Sequence, residues 1–262
     1  VAVSITSVSP WAGPKTGSTT VTLIGTNFLD QHMVCRFGGL WQGQATYISS
    51  SEIRCTSPDM SSSTIGWREL ELVTDSQAYT STSNFYFHDT MQVSSITPVL
   101  GPVAGGTLVA LAGANFDEAV GTAKCRFGGA SFEAVPRFID RNNIECLSPS
   151  HASGTISLEV SLNAQDFTDD NVEFEFHPVV TVESLDPYHG MAELPLHIDV
   201  TGTNFQFKPP QHIQCRFNTS TVDATFVSAT LVQAKGTSSL WPPYAVCCLC
   251  VVICFLRLFV PA

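Results

Sequence analysis

"VTLIGTNF", residues 21–28, places Val21 and Leu23 on one side of a two-residue period and then breaks at Gly25 into a turn. The stretch returns as "VALAGANF" at 109–116 and as "IDVTGTNF" at 198–205, so its glycine recurs at spacings of 88 and 89 residues. Val109 and Leu111, then Ile198 and Val200, hold the inward positions of Val21 and Leu23. Each copy therefore reads as a half-buried antiparallel strand. Asn27, Asn115 and Asn204 tolerate left-handed backbone better than most residues. The phenylalanine after each is expected in a core.

Two further landmarks keep the same step. "CRFG" begins at Cys35 and Cys125 and appears as "CRFN" at Cys215, while the turns "SVSP", "SITP" and "SLDP" end at Pro10, Pro98 and Pro187. A period near 90 residues is too long for a solenoid unit and suits a whole small domain. The chain divides on this basis into 1–90, 91–178 and a partial repeat at 179–233, followed by a hydrophobic, cysteine-rich tail at 234–262.

Within a repeat, about seven short apolar runs are separated by Gly, Pro, Ser or Asn, and none shows helical spacing. "ISLEVSL" (156–162) alternates, with Ile156, Leu158, Val160 and Leu162 inward and Ser157, Glu159 and Ser161 outward; Leu70 and Leu72 against Glu69 and Glu71 repeat this in the first unit. "GPKTGST" and "GPVAGGT" put Gly17, Gly105 and Gly106 where a reversing chain favours positive φ. The fold class is all-β: tandem β-sandwiches, the third truncated. Phe87 and Val93, like Phe176 and Val182, enclose only five residues, which predicts a stiff array with limited hinging.

A net charge of −11, with 12 Lys and Arg among 262 residues, argues against a phosphate-binding surface and hence against nucleic acid as a partner. Cys35 and Cys55 lie 20 positions apart and Cys125 and Cys146 lie 21 apart, with matching neighbours. The readings for such pairs are disulfides or zinc ligands. No CxxC occurs within the repeats and no histidine stands at ligand spacing, which favours disulfides and an oxidising compartment. A loop of that size contributes roughly 3 kcal/mol in the chain-entropy model. Val1 is preceded by neither a signal-like segment nor an initiating Met, as expected of a segment or processed form.

The ordered series "SVSP", "GPKTGSTTVTLIGTNF", "CRFGG", "EIRCTSP" and "FYF" resembles the IPT/TIG domain, the immunoglobulin-like fold shared by plexins, Met-type receptors and Rel-type transcription factors. The second repeat matches throughout, the third only from Val180 to Gln233. The resemblance implies a non-catalytic binding, adhesion or spacer module at the cell surface or outside the cell, acting on a protein or glycan ligand, with no cofactor. It also implies that Cys35 pairs with Cys55 and Cys125 with Cys146. Two alternatives follow from other branches and contexts of the fold: a Rel-like nucleic-acid-binding or dimerisation module, and accessory domains of a carbohydrate-active enzyme.

Signatures of chemistry are absent: there is no GxSxG, HExxH, Walker A or GxGxxG after a strand, and His88 and His177 fall at equivalent places near the repeat ends. No enzyme and no metal site is expected. Asp166–Asp170, "DFTDD", reads as a solvated turn, with calcium ligation as the alternative. Trp67 has the parity of Glu69 and Glu71, and so faces outward. With Trp11, Trp41 and Tyr188 it marks candidate partner contacts at the domain ends, against the alternative of packing between repeats. Asn218 opens "NTS", a sequon and candidate glycan acceptor.

In "LVQAKG" (231–236), Ala234 stands where "EIRCTSP" and "NIECLSP" place Cys55 and Cys146, which leaves Cys215 without its counterpart. No late strands are expected beyond Gln233, and the third unit reads as incomplete and poorly stable. Residues 244–260 are apolar apart from Arg257 and would span about 26 Å as a helix, slightly short for a bilayer. The tail reads as a membrane anchor, as a segment removed on lipid attachment after Gly236 or Ser238, with Cys247, Cys248, Cys250 and Cys254 open to acylation, or as a non-native read-through.

Overall fold

The computed structural model describes residues 2–75, 77–81, 83–118, 122–187, 196–206, 212–217, 220–236 and 252–257, and its elements are β-strands. The first repeat contains β1 (Ser4–Ser9), β2 (Ala12–Pro14), β3 (Thr20–Thr26), β4 (Met33–Phe37), β5 (Trp41–Ser49), β6 (Glu52–Thr56), β7 (Gly66–Arg68), β8 (Leu70–Thr74), β9 (Ala78–Thr80) and β10 (Phe85–His88). The second contains β11 (Gln92–Thr97), β12 (Leu100–Pro102), β13 (Leu108–Ala114), β14 (Lys124–Phe127), β15 (Glu133–Ala134), β16 (Arg137–Asp140), β17 (Asn143–Leu147), β18 (Gly154–Ser161) and β19 (Glu173–His177). The remainder contains β20 (Thr181–Asp186), β21 (Leu196–Thr203), β22 (His212–Phe217), β23 (Ser220–Ser228), β24 (Leu231–Gly236) and β25 (Val252–Arg257). By backbone proximity the chain forms two compact units, Val1–Ile96 with Leu108–Pro149 and Ile156–Phe174, and Thr97–Thr107 with Ser150–Thr155 and Glu175–Ala262.

In the first repeat, strands run β1-β3-β6-β5-β4-β8-β9 in one sheet and β2-β10-β7 in another. Period-two alternation turns Val21, Leu23, Ile53 and Cys55 toward Cys35, Phe37, Leu70, Leu72, Phe85 and Phe87, all buried in one core. Phe37 meets the edges of Phe85 and Phe87 at 5.4 and 5.6 Å. Each such ring contributes roughly 1.5–3 kcal/mol by leaving water. Cys35 on β4 is bonded to Cys55 on β6, with Cα atoms 5.9 Å apart. The second repeat reproduces this: β11-β13-β17-β16 form one sheet, β14 lies between β15 and β18, and Cys125 is bonded to Cys146 at a Cα separation of 6.4 Å.

The NF turn explains why three stretches match so closely. Asn27, Asn115 and Asn204 adopt φ of 61°, 65° and 61°. Their side-chain amides donate to the carbonyls of Ala2, Thr90 and Val179 at 2.9, 2.8 and 2.9 Å. The amides of Phe28, Phe116 and Phe205 donate in turn to the carbonyls of Ser50, Arg141 and Ala229, each at 3.0 Å, and all three rings are buried. A Cβ on Gly25, Gly113 or Gly202 would overlap the carbonyl oxygen of Ser4, Gln92 or Thr181. Glycine, asparagine and phenylalanine are each required for a different physical reason.

The six-stranded sheet β20-β21-β24-β23-β22-β25 closes its own core around Ile198, Val200, Phe205, Ile213, Phe217 and Val232. Ile198 pairs with Ala234 as Val21 pairs with Cys55 and Val109 with Cys146, so Ala234 occupies the cysteine's place and is fully buried there. Cys215 is nevertheless disulfide-bonded, which corrects the expectation that it lacks a partner. β24 runs on to Gly236, past Gln233 where the sequence likeness ends.

A late strand also exists. β25 pairs antiparallel with β22, setting Cys254 opposite Cys215 in the ladder, the place that β8 holds beside β4 and β18 beside β14. The unpaired edge of β22 accounts for this, because its backbone N–H and C=O groups need partners. Within the apolar run at 244–260, Val252–Arg257 is thus a strand and not part of a spanning helix. Among the described residues no helix is long and apolar enough to cross a membrane, and this unit carries one sheet where the first repeat has two.

Candidate interaction surface

The "DFTDD" stretch is not a free turn. Leu162 and Ser161 are both buried at the end of β18, so the alternation expected of "ISLEVSL" breaks at Ser161 and the chain enters a fixed loop. Asn163 organises it: its Oδ1 accepts from the backbone amides of Gln165 and Asp166 at 3.0 and 2.8 Å and from the Ser161 hydroxyl at 3.0 Å. Its Nδ2 donates to the Ala12 carbonyl of the first repeat at 3.0 Å and to Asp166 Oδ2 at 2.7 Å. That same Asp166 oxygen accepts from the Thr19 hydroxyl at 2.7 Å. With its amide oriented as the facing Thr20 N–H and C=O require, the Gln165 side chain pairs with both backbone groups at 3.0 Å, as a neighbouring strand would.

Asp166 thus accepts from Thr19 of the first repeat and from Asn163 of its own loop. Asp170 accepts from the Val93 amide at 2.7 Å, and among the described residues no group of three or more His, Cys, Asp or Glu is placed to hold a metal ion.

Beside this junction lies an aromatic cluster. Trp11 and Trp67 stack at 5.5 Å with 13° between their planes, and Tyr86 tilts against Trp67 at 5.2 Å. Strand pairing sets the cluster up, since Tyr86 on β10 faces Ala12 on one side and Trp67 on the other. The Tyr86 hydroxyl donates to Asp117 Oδ2 at 2.8 Å, and burial followed by this carboxylate raises its pKa. Trp67 remains 52% exposed.

At the corresponding register positions of the second repeat stand Val99, Thr155 and Glu175, so the fold does not require the aromatic trio. The outward orientation of Trp67 is as its parity implies. Its stacking partner is not legible in the sequence.

The other candidate contacts fare differently. Trp41 opens β5 and is half-buried, packed against the core of the first repeat. Tyr188 and Asn218 lie outside the described residues. His88 and His177 are both buried, and each Nδ1 lies 2.8 Å from the carbonyl of the next residue, a repeated structural contact. Burial lowers the pKa of His88, whose Nε2 has no hydrogen-bond partner.

With two disulfide-bonded sandwiches and their junction described, the comparison with known families decides the identity. The IPT/TIG domain model matches residues 3–88 and 91–176. The chain belongs to the IPT/TIG domain family. Its two matched IPT/TIG domains coincide with the repeats that carry the disulfides.

Human plexin-A2 is 26% identical over 236 residues, 82% of this chain and 12% of that protein, and plexin A3 of Danio rerio is 29% identical over 212 residues, 76% of this chain and 11% of that protein. The chain thus spans about an eighth of the length of these relatives. The structure of the full plexin A4 extracellular region aligns at TM-score 0.46 and 18% identity, over 90% of this chain and 21% of that one.

Proposed function

We propose that these IPT/TIG domains form a non-catalytic binding and spacing array in the extracellular part of a larger cell-surface protein. The observation that carries this reading is the pair of buried disulfides, one in each matched domain and in equivalent places, because such bonds persist in oxidising compartments. The acidic balance supports the surface branch of the family over a Rel-like role on nucleic acid.

The finer part of the reading assigns partner contact to the Trp11–Trp67 stack. Trp67 is exposed, rigidly backed, and dispensable to the fold. It suits a protein or glycan ligand, either of which gains from a flat aromatic face. Use of the same stack by a carbohydrate-active parent enzyme is the second reading, favoured by that flat face alone.

Labelling intact cells that express the parent protein with a membrane-impermeant amine reagent tests the location, with Lys235 the exposed lysine among the described residues. Labelling of this region before permeabilisation is expected, and labelling only afterwards would contradict it.

A further inference from the structure

His88 closes β10 where the first repeat meets the second, and it is buried there. Its Nδ1 lies 2.8 Å from the Asp89 carbonyl. A carbonyl only accepts, so the proton of the neutral ring sits on Nδ1 and Nε2 carries the lone pair. That nitrogen is buried with no hydrogen-bond partner among the described residues. A neutral ring bears this at modest cost, but a protonated ring would put a charged N–H where no acceptor stands.

Three carboxylates act on this ring: Asp89 beside it in the chain, Asp117 after the NF turn of the second repeat, and Asp166 in the loop after β18. Each is already engaged. Asp89 pairs with Lys15 at 2.7 Å, Asp117 accepts from the Tyr86 hydroxyl at 2.8 Å, and Asp166 accepts from Thr19 and Asn163, both at 2.7 Å. Lys15 and Arg141 are the nearby cations, the first held by Asp89 and the second acting on Tyr86. Burial outweighs the carboxylates and keeps the ring's pKa below the ordinary 6.5. An acceptor for Nε2–H must therefore come from a carboxylate that leaves its present donor, or from water admitted to the junction. The bonds from Tyr86 to Asp117 and from Thr19 to Asp166 are the ones that join the two repeats.

We propose that His88 is an acid-operated latch: protonation at Nε2 releases the loop 163–168 from Thr19 and Thr20 and turns a fixed junction between the first two repeats into a hinged one. The binding role given above is not needed for this. The latch acts through the junction and not through either core, because the groups that must move are Asp166 and Asp117 with their donors, while the disulfide-bonded strands lie within each sandwich. The Thr20 amide reports it directly, since its partner is the Gln165 side chain of the loop.

The test is amide hydrogen exchange of this chain read by NMR from about pH 7.5 to about pH 4.5, a range above the ordinary carboxylate values, with the intrinsic pH dependence of exchange divided out. Exchange at Thr20, Gln165 and Asp166 is expected to quicken at least about tenfold as the pH falls below about 6.5, while β4 and β17 keep their protection. His88→Leu is expected to hold the three amides slow throughout. Should that variant fail to fold, Asp166→Ala carries the test, starting from fast exchange at Thr20 and showing no further step in acid. Four results would overturn the proposal: no acid step in the wild-type chain, a step retained in His88→Leu, a step retained in Asp166→Ala, or equal quickening in β4 and β17, which would mean unfolding and not release.

Discussion

Thr19 and Asp166 are 147 positions apart in the chain, and the hydroxyl of the first donates to the carboxylate of the second at 2.7 Å. The contact is one strand of a network in which Asn163 and Gln165 reach the backbone of Ala12 and Thr20. Polar networks of this kind hold an orientation because every member has one satisfied geometry.

Asp166→Ala leaves the Thr19 hydroxyl and one Asn163 N–H without their acceptor. Loss of about 1–3 kcal/mol is expected for a half-buried charged acceptor of two hydrogen bonds. Urea denaturation checks it. A double-mutant cycle with Thr19→Val should return a coupling of at least about 0.5 kcal/mol, and strict additivity would show that the contact does not join the repeats.

The NF turn supplies a graded series. Asn27→Gly keeps the left-handed backbone but loses the bond to Ala2, and should destabilise by about 1 kcal/mol. Asn27→Ala adds strain at φ 61° and should destabilise more. Gly25→Ala forces a Cβ onto the Ser4 carbonyl and should be the worst, at roughly 2 kcal/mol or above. The order is the prediction, read from denaturation midpoints.

His88 gives a pH dependence of defined sign. Burial holds its folded pKa below the ordinary 6.5, so the unfolded chain takes up the proton first. Its contribution to stability is therefore complete above about pH 6.5 and is lost as the pH falls through the lowered folded value. Asp59 and Asp140 have carboxyls held below the ordinary 3.8, by the Ser61 hydroxyl and amide and by the backbone of Asn142 with the Asn143 amide, so their contribution is lost only in stronger acid. His88→Leu should flatten the decline that begins below about pH 6.5 and leave the lower limb in place. Retention of the upper decline in His88→Leu would assign it elsewhere.

Trp67→Thr installs the residue that the second repeat holds at that position. Because Trp67 is half exposed and dispensable to the fold, a stability change under about 1 kcal/mol is expected, with a blue-shifted and weakened tryptophan emission. Partner binding should fall at least tenfold. Equal affinity of the variant for a partner captured by the wild-type protein would remove the stack from the binding surface.

What was legible in the sequence follows from locality. Alternation and the NF turn are written locally and are set by backbone geometry that all three repeats share, and the cysteine pairs of the first two repeats lie 20 and 21 positions apart. The lock at Asp166 was not legible, because its partner Thr19 belongs to another domain and no local pattern distinguishes a docked acidic loop from a solvated one. Trp41 and Trp67 both read as candidate contacts at the domain ends, yet β5 starts at Trp41 and packs it against the core while β7 leaves Trp67 at a sheet edge. Ala234 marked a missing cysteine, but not that Cys215 is disulfide-bonded or that a strand from the tail pairs with β22.

The proposed function depends on both disulfides, and peptide mapping without reductant tests them most directly. Protein purified from its natural source under thiol-blocking conditions should yield Cys35 linked to Cys55 and Cys125 linked to Cys146. Free thiols at all four positions would contradict the account.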